Sequence, residues 1–209
     1  MLTRSRLWLG TAALYALFVF WYTDFKGPLT EEEIDRFVAT MRGNGVPDER
    51  LAFVETFMRE DTGRQFLMVN NLDMNDDPPD VEGAAPGESA DKLMARYMEH
   101  MFPALLARAC HPALMGRAVY AGMDIVGIEG AEQWSSMGLV RYRSRRALVE
   151  IISNPAFFGK HEFKEAALDK TIAYPIEMQL YLSDLRLLLA LVLVALAALL
   201  DAFWLGRRR

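Results

Sequence analysis

The C-terminal stretch LVLVALAALLDAFWLGRRR, residues 191–209, places the strongest constraint on how this chain folds. Between Leu187 and Leu205 only Asp201 is charged, so a helix here is apolar on all sides. Such a helix reaches about 28 Å, close to the roughly 30 Å hydrocarbon core of a bilayer. Its Leu, Val and Phe side chains favour insertion by about 4–7 kcal/mol, against about 3 kcal/mol for a central aspartate. The pattern predicts a transmembrane helix over residues 185–206.

The N-terminal residues 1–23 predict a second transmembrane helix. Arg4 and Arg6 precede the apolar stretch Leu7–Tyr22. A cleaved secretory signal is the alternative, because the apolar stretch is short and its flank is basic. A cleavage site needs small residues, whereas Trp21 to Phe25 is largely aromatic and suits a membrane interface. We therefore expect a retained anchor.

The distribution of charge predicts the topology. Basic residues flank only the outer ends of the two apolar stretches, which places both termini in the cytoplasm. Residues 23–186 carry 18 Lys and Arg against 27 Asp and Glu, a net charge of −9. We expect this acidic segment in the periplasm, with the chain in a bacterial inner membrane, and we expect no nucleic-acid partner. The single cysteine, Cys110, excludes an internal disulfide, and its apolar neighbours predict a buried thiol.

Residues 24–62 predict a helical hairpin. Thr30 and Glu33 form a capping-box pattern, and apolar residues follow at helical spacing. Those residues are Ile34, Phe37, Val38 and Met41. A second helix is predicted over residues 47–59. Two roles remain open for the hairpin, a spacer packed on the following domain or a docking surface for another subunit.

Residues 63–180 predict an α+β domain with the ferredoxin-like βαββαβ order. The predicted elements are a strand at 65–75, a helix at 91–109, strands at 113–128 and 134–144, a helical region at 144–171 interrupted at Asn154-Pro155, and a strand at 172–177. The acidic loop at 76–89 departs from a calcium-binding EF-hand, because Pro78 and Ala84 replace the required Gly and Glu. We expect a solvated loop or a partner contact there.

Four stretches of this domain carry a resemblance to a known superfamily. They are MVNNLDM, YMEHMFPAL, LVRYRSRRALVEIISNPAF and AALDKT. Over roughly residues 65–177 the chain resembles the small uncharacterised domains of the dimeric α/β-barrel superfamily. The resemblance implies a ferredoxin-like sheet that pairs face to face with a second copy or another subunit. Members include monooxygenases, isomerases and haem enzymes, so the resemblance implies no single activity.

No catalytic, cofactor-binding or metal-binding residue is predicted. The three histidines lie on separate predicted elements, whereas a metal site needs ligands at close spacing. Some polar residues are candidates for lining a cleft between helix and sheet, and ordinary structural or surface roles remain open for each. These candidates are Asn70, Tyr97, His100, Arg141 and His161, with Arg143 beside them. The methionines mostly fall at core spacing and predict packing rather than copper binding.

Two functions remain. We expect a non-enzymatic accessory or scaffold subunit of an inner-membrane complex, which acts through contacts with integral membrane subunits or a second copy. The alternative is a membrane-tethered small-molecule enzyme or sensor, monooxygenase- or isomerase-like, that uses the barrel cleft. Leu139 and Val140 are neighbours on a predicted strand and point to opposite faces. An aspartate at one position should release the partner, and at the other it should unfold the domain.

Overall fold

The computed structural model describes residues 3–157 and 159–205, which belong to two compact units. The helix unit comprises residues 1–25 and 178–209, and the sheet unit comprises residues 26–177. The predicted basic cluster at 207–209 lies outside the described residues. The hairpin at 24–62 and the following domain share one unit from residue 26 onward.

The helix unit consists of two helices that pack antiparallel. Helix α1 spans Arg4–Tyr22, helix α7 spans Leu185–Leu200, and a π-helical turn, Asp201–Leu205, extends α7. The guanidinium of Arg4 pairs with the carboxylate of Asp201 at one end. At the other end Arg186 donates a hydrogen bond to the Thr23 hydroxyl at 3.1 Å.

Only one helix in the described part of the chain is long and apolar enough to cross a membrane. It spans Leu185–Phe203, with a mean hydropathy of 2.4. By this criterion the structure supports one of the two predicted transmembrane helices. Helix α1 begins with Arg4 and Arg6, and its uninterrupted apolar part, Leu7–Tyr22, reaches only about 24 Å.

The predicted hairpin is present as α2, Glu31–Gly43, and α3, Asp48–Arg59. The capping box is confirmed, because the Thr30 hydroxyl accepts from the Glu33 amide and the Glu33 carboxylate accepts from the Thr30 amide. The apolar face of α2 packs on α3 and on helix α5, Arg145–Ile152, in one core cluster. Its members are Leu29, Ile34, Phe37, Val38, Met41, Leu51, Met58 and Val149.

The remaining elements form a four-stranded antiparallel sheet with helices, as the predicted α+β class requires. The strands are β1, Phe66–Met74; β2, His111–Arg117; β3, Ser136–Tyr142; and β4, Leu168–Ile176. Their order across the sheet is β2-β3-β1-β4. Helix α4, Ala90–Ala107, follows β1, while α5 and α6, His161–Ala166, follow β3. The chain order is therefore βαββαβ.

One face of the sheet packs against α4 and α5. Phe66 and Tyr142 lie opposite each other on β1 and β3, and their rings stack with centroids 5.2 Å apart. They share a core cluster with Met101, Leu105 and Ile151 of the two helices. Val140 also packs on this cluster, so Leu139 points to the opposite face. We call these the helical face and the open face of the sheet.

Two strand boundaries differ from the sequence prediction. Strand β2 ends at Arg117 instead of residue 128, because the following residues form an irregular loop in which Gly127 and Gly130 adopt positive φ. Strand β4 begins at Leu168 instead of residue 172, because it pairs with β1 from Met74 onward. Strand pairing thus overrides the helical pattern of AALDKT. The interior Pro103 does not end α4.

Candidate functional site

Arg141 lies at the centre of the sheet and is fully buried. It sits on β3 opposite Leu67 of β1 and His111 of β2, on the open face. Its Nε and one terminal nitrogen donate to the Gln65 side-chain oxygen at 2.8 and 2.6 Å. The other terminal nitrogen donates to the carbonyl of Ala109 at 2.6 Å. The guanidinium therefore joins the start of β1 to the turn before β2.

The Ala109 carbonyl is aimed at Arg141 by a tight helix end. The amides of Ala109 and Cys110 donate to the carbonyls of Leu106 and Leu105, which is the Schellman pattern. This pattern requires a left-handed residue, and Ala109 adopts φ 54° where glycine is usual. Such a conformation is disfavoured by about 1 kcal/mol for alanine. The bond to Arg141 helps to offset this strain.

Tyr97 and His161 are the two candidate residues that the fold brings together. They lie on α4 and α6, with ring centroids 6.0 Å apart in an edge-to-face arrangement. Lys164 Nζ lies 5.9 Å from the Tyr97 ring. Burial raises the pKa of Tyr97 to about 12. Burial also lowers the pKa of His161 and of Lys164, and Arg50 on α3 lowers both further by repulsion.

The other candidates do not complete a single site. His100 packs edge-to-face on Phe157, with centroids 6.5 Å apart. Asn70 lies on the helical face of β1, and its amide donates to the carbonyl of Met68 at 3.2 Å. Arg141 lies on the opposite face of the sheet from both. The predicted cleft residues therefore divide into separate local contacts.

The arginine pair at the start of α5 was not predicted from the sequence. Arg146 is 4% exposed, and its guanidinium donates to both carboxylate oxygens of Glu33 at 2.8 and 3.0 Å. It also donates to the carbonyls of Gly27 and Pro28. Arg145 stacks over the Phe57 ring at 4.5 Å. The run RYRSRR, residues 141–146, contains both arginines. The acidic partner of Arg146 lies more than a hundred residues earlier, so the run alone did not indicate the pair.

The open face of the sheet carries partly exposed apolar side chains along its two edge strands. Val69 and Leu67 of the central strand β1 are buried. Four flanking side chains on the same face are 36–51% exposed. They are Leu114 on β2 and Ile172, Tyr174 and Ile176 on β4. Apolar side chains that line both edges of one face suit contact with a further surface.

Cys110 and the acidic residues do not form a reactive or metal-binding group within the described residues. Cys110 is buried, and burial raises the pKa of its thiol. The thiolate is the reactive form, so a raised pKa disfavours nucleophilic chemistry. Across residues 3–157 and 159–205, no three His, Cys, Asp or Glu side chains are grouped to hold a metal ion.

Comparison with solved structures finds the same fold at low sequence identity. One is the methylated RPA0582 protein, with a TM-score of 0.52 and 16% identity over 66% of this chain and 96% of that chain. Another is RPA0582 from Rhodopseudomonas palustris, described as a protein of unknown function. It has a TM-score of 0.51 and 17% identity over 65% of this chain and 96% of that chain. No protein-family model and no curated protein sequence matches the chain. The likeness establishes the α+β fold alone.

Proposed function

We propose that the protein is a membrane-anchored accessory subunit of a bacterial inner-membrane complex, whose periplasmic sheet unit binds another protein chain. We also propose that the sheet unit belongs to the ferredoxin-like dimeric α/β-barrel superfamily, whose members pair through their sheets. The single observation that carries the proposal is the open face of the sheet. When helices cover only one face of a four-stranded sheet, an apolar second face must be buried against another surface.

The apolar side chains exposed on the edge strands favour contact with another protein rather than with water. Ile172, Tyr174 and Ile176 alternate along β4 and all point to the open face, where they lie 36–46% exposed. Their row continues across β1 and β3 to Leu114 on β2. A stable protein interface buries about 800 Å² on each partner, so the exposed side chains of both edge strands would have to contact the partner together. Aromatic residues such as Tyr174 are enriched in protein interfaces relative to the rest of the surface.

The helix unit supports the membrane location. Helix α7 provides the apolar span, Leu185–Phe203. We propose that α1 accompanies α7 through the bilayer as a second, shorter span, because the two helices pack together and pair Arg4 with Asp201. Pairing the two charges lowers the penalty for placing either near the hydrocarbon region.

The experiment is co-purification of the full chain from native membranes in mild detergent with two neighbouring substitutions. Tyr174→Asp places a charge on the open face, and Ala173→Asp places the same charge on the other face of the same strand. Both residues are exposed, so both variants should fold. We expect Tyr174→Asp to lower recovery of the partner at least tenfold, because an unpaired charge buried by the partner costs several kcal/mol. Ala173→Asp should leave recovery unchanged.

The pair Leu139 and Val140 provides a further control. Leu139→Asp also charges the open face, whereas Val140→Asp charges the core between sheet and helices and should unfold the sheet unit. Circular dichroism of each purified variant separates the two effects. Equal partner recovery for wild type, Tyr174→Asp and Leu139→Asp, all folded, would contradict the proposal.

One observation favours the second candidate function, a small-molecule enzyme or sensor. Tyr97, His161 and Lys164 form one group of titratable side chains with shifted pKa values. Tyr97→Phe with His161→Ala tests it. On the scaffold proposal this double variant keeps its fold, its partner and the activity of the complex. A variant that keeps the fold and the partner but loses that activity would favour the second candidate.

A further inference from the structure

The loop between β2 and β3 exposes more apolar side chain than any other short segment described in the sheet unit. Five large side chains within ten residues are 55–98% exposed: Val119, Tyr120, Met123, Val126 and Ile128. An aromatic side chain such as Tyr120 has a surface on the order of 150 Å², and the aliphatic side chains have somewhat less. Together they expose an area comparable to the largest apolar patch of a typical monomer, about 300–600 Å². We call residues 118–132 the apolar loop.

The base of the apolar loop is held by specific contacts. Lys170 donates to the carbonyl of Gly130 at 2.5 Å and forms an ion pair with Asp73. Ala131 is buried, and its carbonyl accepts from the Trp134 indole at 2.9 Å. The amide of Gly122 donates to the carbonyl of Glu132 at 2.7 Å and closes the loop. A loop held in this way loses less conformational entropy on binding than a free one.

Gly122 shows that the tip is also folded on itself. A Cβ at this position would lie 2.8 Å from Cδ1 of Ile125, so the Ile125 side chain packs directly over the Gly122 backbone. Ile125 is half-buried while its neighbours on both sides point to solvent. The apolar side chains are therefore presented outward by a turn with its own small core.

The charge on and around the apolar loop selects the kind of partner. Residues 118–140 contain no Lys or Arg, while Asp124, Glu129 and Glu132 are exposed. The nearby Lys170 is paired with Asp73 at the base of the loop. A second copy is a poor match, because the sheet unit carries 17 Lys and Arg against 25 Asp and Glu. A bilayer is also a poor match, because Asp124 lies among the apolar side chains and anionic headgroups repel the three acids.

We propose that the apolar loop docks into an apolar groove with a Lys- or Arg-rich rim on a different protein chain. Apolar side chains would fill the groove, and the three acids would meet the basic rim. Charge complementarity of this kind selects partners and speeds their association. The inference rests on the proposed function, since it identifies a second surface through which the accessory subunit holds its partner.

The test is photo-crosslinking of the full chain in native membranes. A photoreactive residue replaces Met123 in the apolar loop or, as a control, Ala85 in the exposed acidic loop. We expect a single adduct with a different protein from position 123 and none from position 85. Asp124→Lys with Glu129→Lys should lower the yield at least fivefold. Asp77→Lys with Glu82→Lys makes the same change in net charge elsewhere and should leave the yield unchanged.

The outcomes separate the inference from the proposed function. An adduct of two copies of this chain, or adducts with lipid alone, would overturn the inference. An adduct whose yield is unchanged by charge reversal in the apolar loop would also overturn the inference. If a partner co-purifies through the open face but position 123 gives no adduct, the inference fails and the proposed function stands. If no partner co-purifies at all, the proposed function itself fails.

Discussion

At the scale of single residues, Arg146 connects distant parts of the sheet unit through its side chain. Arg146 is only 4% exposed to solvent. Its guanidinium donates hydrogen bonds to Glu33 and to the carbonyls of Gly27 and Pro28. Glu33 serves two purposes, since it also closes the capping box at Thr30. The hydrogen bonds from Arg146 hold the pKa of Glu33 at about 2, well below its usual 4.5.

Glu33→Gln should lower the free energy of unfolding by about 2 kcal/mol at neutral pH, the contribution of hydrogen bonds to a charged group. Glutamine can still close the capping box, so the loss reports the pair with Arg146. Because the folded pKa is depressed, the stabilisation is complete above pH 4.5 and is lost as pH falls through 2. Urea unfolding of the full chain in detergent, followed by circular dichroism across this range, measures the difference.

Glu32→Gln is the matched control for this substitution. Glu32 lies on the same turn of α2 and is exposed, so its loss should change stability by less than about 0.5 kcal/mol. A Glu33→Gln variant that unfolds with the wild-type midpoint at pH 7 would contradict the role of the pair. So would a difference between the two proteins that persists undiminished at pH 2.

Local patterns predicted some of these residues and missed others for a physical reason. The capping box was readable because Thr30 and Glu33 are three residues apart. The partner of Glu33 could not be predicted from the local sequence, because Arg146 follows 113 residues later. Likewise Arg141 was placed on its strand, but its bonds to Gln65 and Ala109 depend on how the helix end before β2 turns.

At the scale of elements, α1 and α7 contact each other along one stripe on each helix. The less exposed residues of α1 recur at three- and four-residue spacing, at Leu7, Thr11, Tyr15, Phe18 and Tyr22. Polar contacts close both ends of the pair. Asp201 meets Arg4 and lies 3.5 Å from the Trp8 indole nitrogen, while Arg186 bonds Thr23 and faces the Tyr22 ring.

Reversing one charge of the Arg4–Asp201 pair should loosen α1 from α7. We expect Arg4→Asp or Asp201→Arg to weaken the helix contact by about 1 kcal/mol, because each replaces an attraction by a repulsion. A cysteine at Thr11, half-buried in the helix contact, reports the change through its alkylation rate in mild detergent. The rate should rise about fivefold in each single variant. The native Cys110 is buried and gives a low background.

The double variant, Arg4→Asp with Asp201→Arg, restores opposite charges and serves as the control. Its alkylation rate should return close to that of the wild type. If the double variant reacts as fast as the single variants, the pair does not hold the helices together.

Periodicity predicted the elements better than their ends. The 3.6-residue pattern of α2 and the alternation in β1 were each decided by residues close in sequence, and both elements are present. The end of β2 was not, since Val119, Tyr120 and Met123 look like strand residues but lie exposed in the apolar loop. The start of β4 was set by its pairing with β1. The ends of a strand depend on which other strand it pairs with, and that pairing cannot be deduced from the local sequence.

At the scale of the whole molecule, the proposed membrane topology can be tested independently of any partner. We expect a cysteine at Glu82 to react with an impermeant thiol reagent added outside the inner membrane. A cysteine at Arg209 should react only after the membrane is permeabilised, because the basic residues beyond α7 favour the cytoplasm. Labelling of position 209 from outside would reverse the proposed orientation.

The intact mass of the mature protein completes this test. A mass that begins at Met1 agrees with α1 as a retained helix paired with α7. A mass that begins near Asp24 would identify residues 1–23 as a removed signal and leave α7 as the only anchor.

The Arg146–Glu33 pair also sets an order of events while the chain is being made. The two residues are 113 positions apart, and a ribosome adds about 5–20 residues each second. The hairpin therefore waits roughly 6–23 s for α5, with Ile34 and Phe37 lacking the Val149 side chain that completes their core. The core of the hairpin therefore closes only after Val149 has been synthesised, and the sheet only after β4, which ends at Ile176. Any factor that shields nascent chains has its main opportunity during that interval.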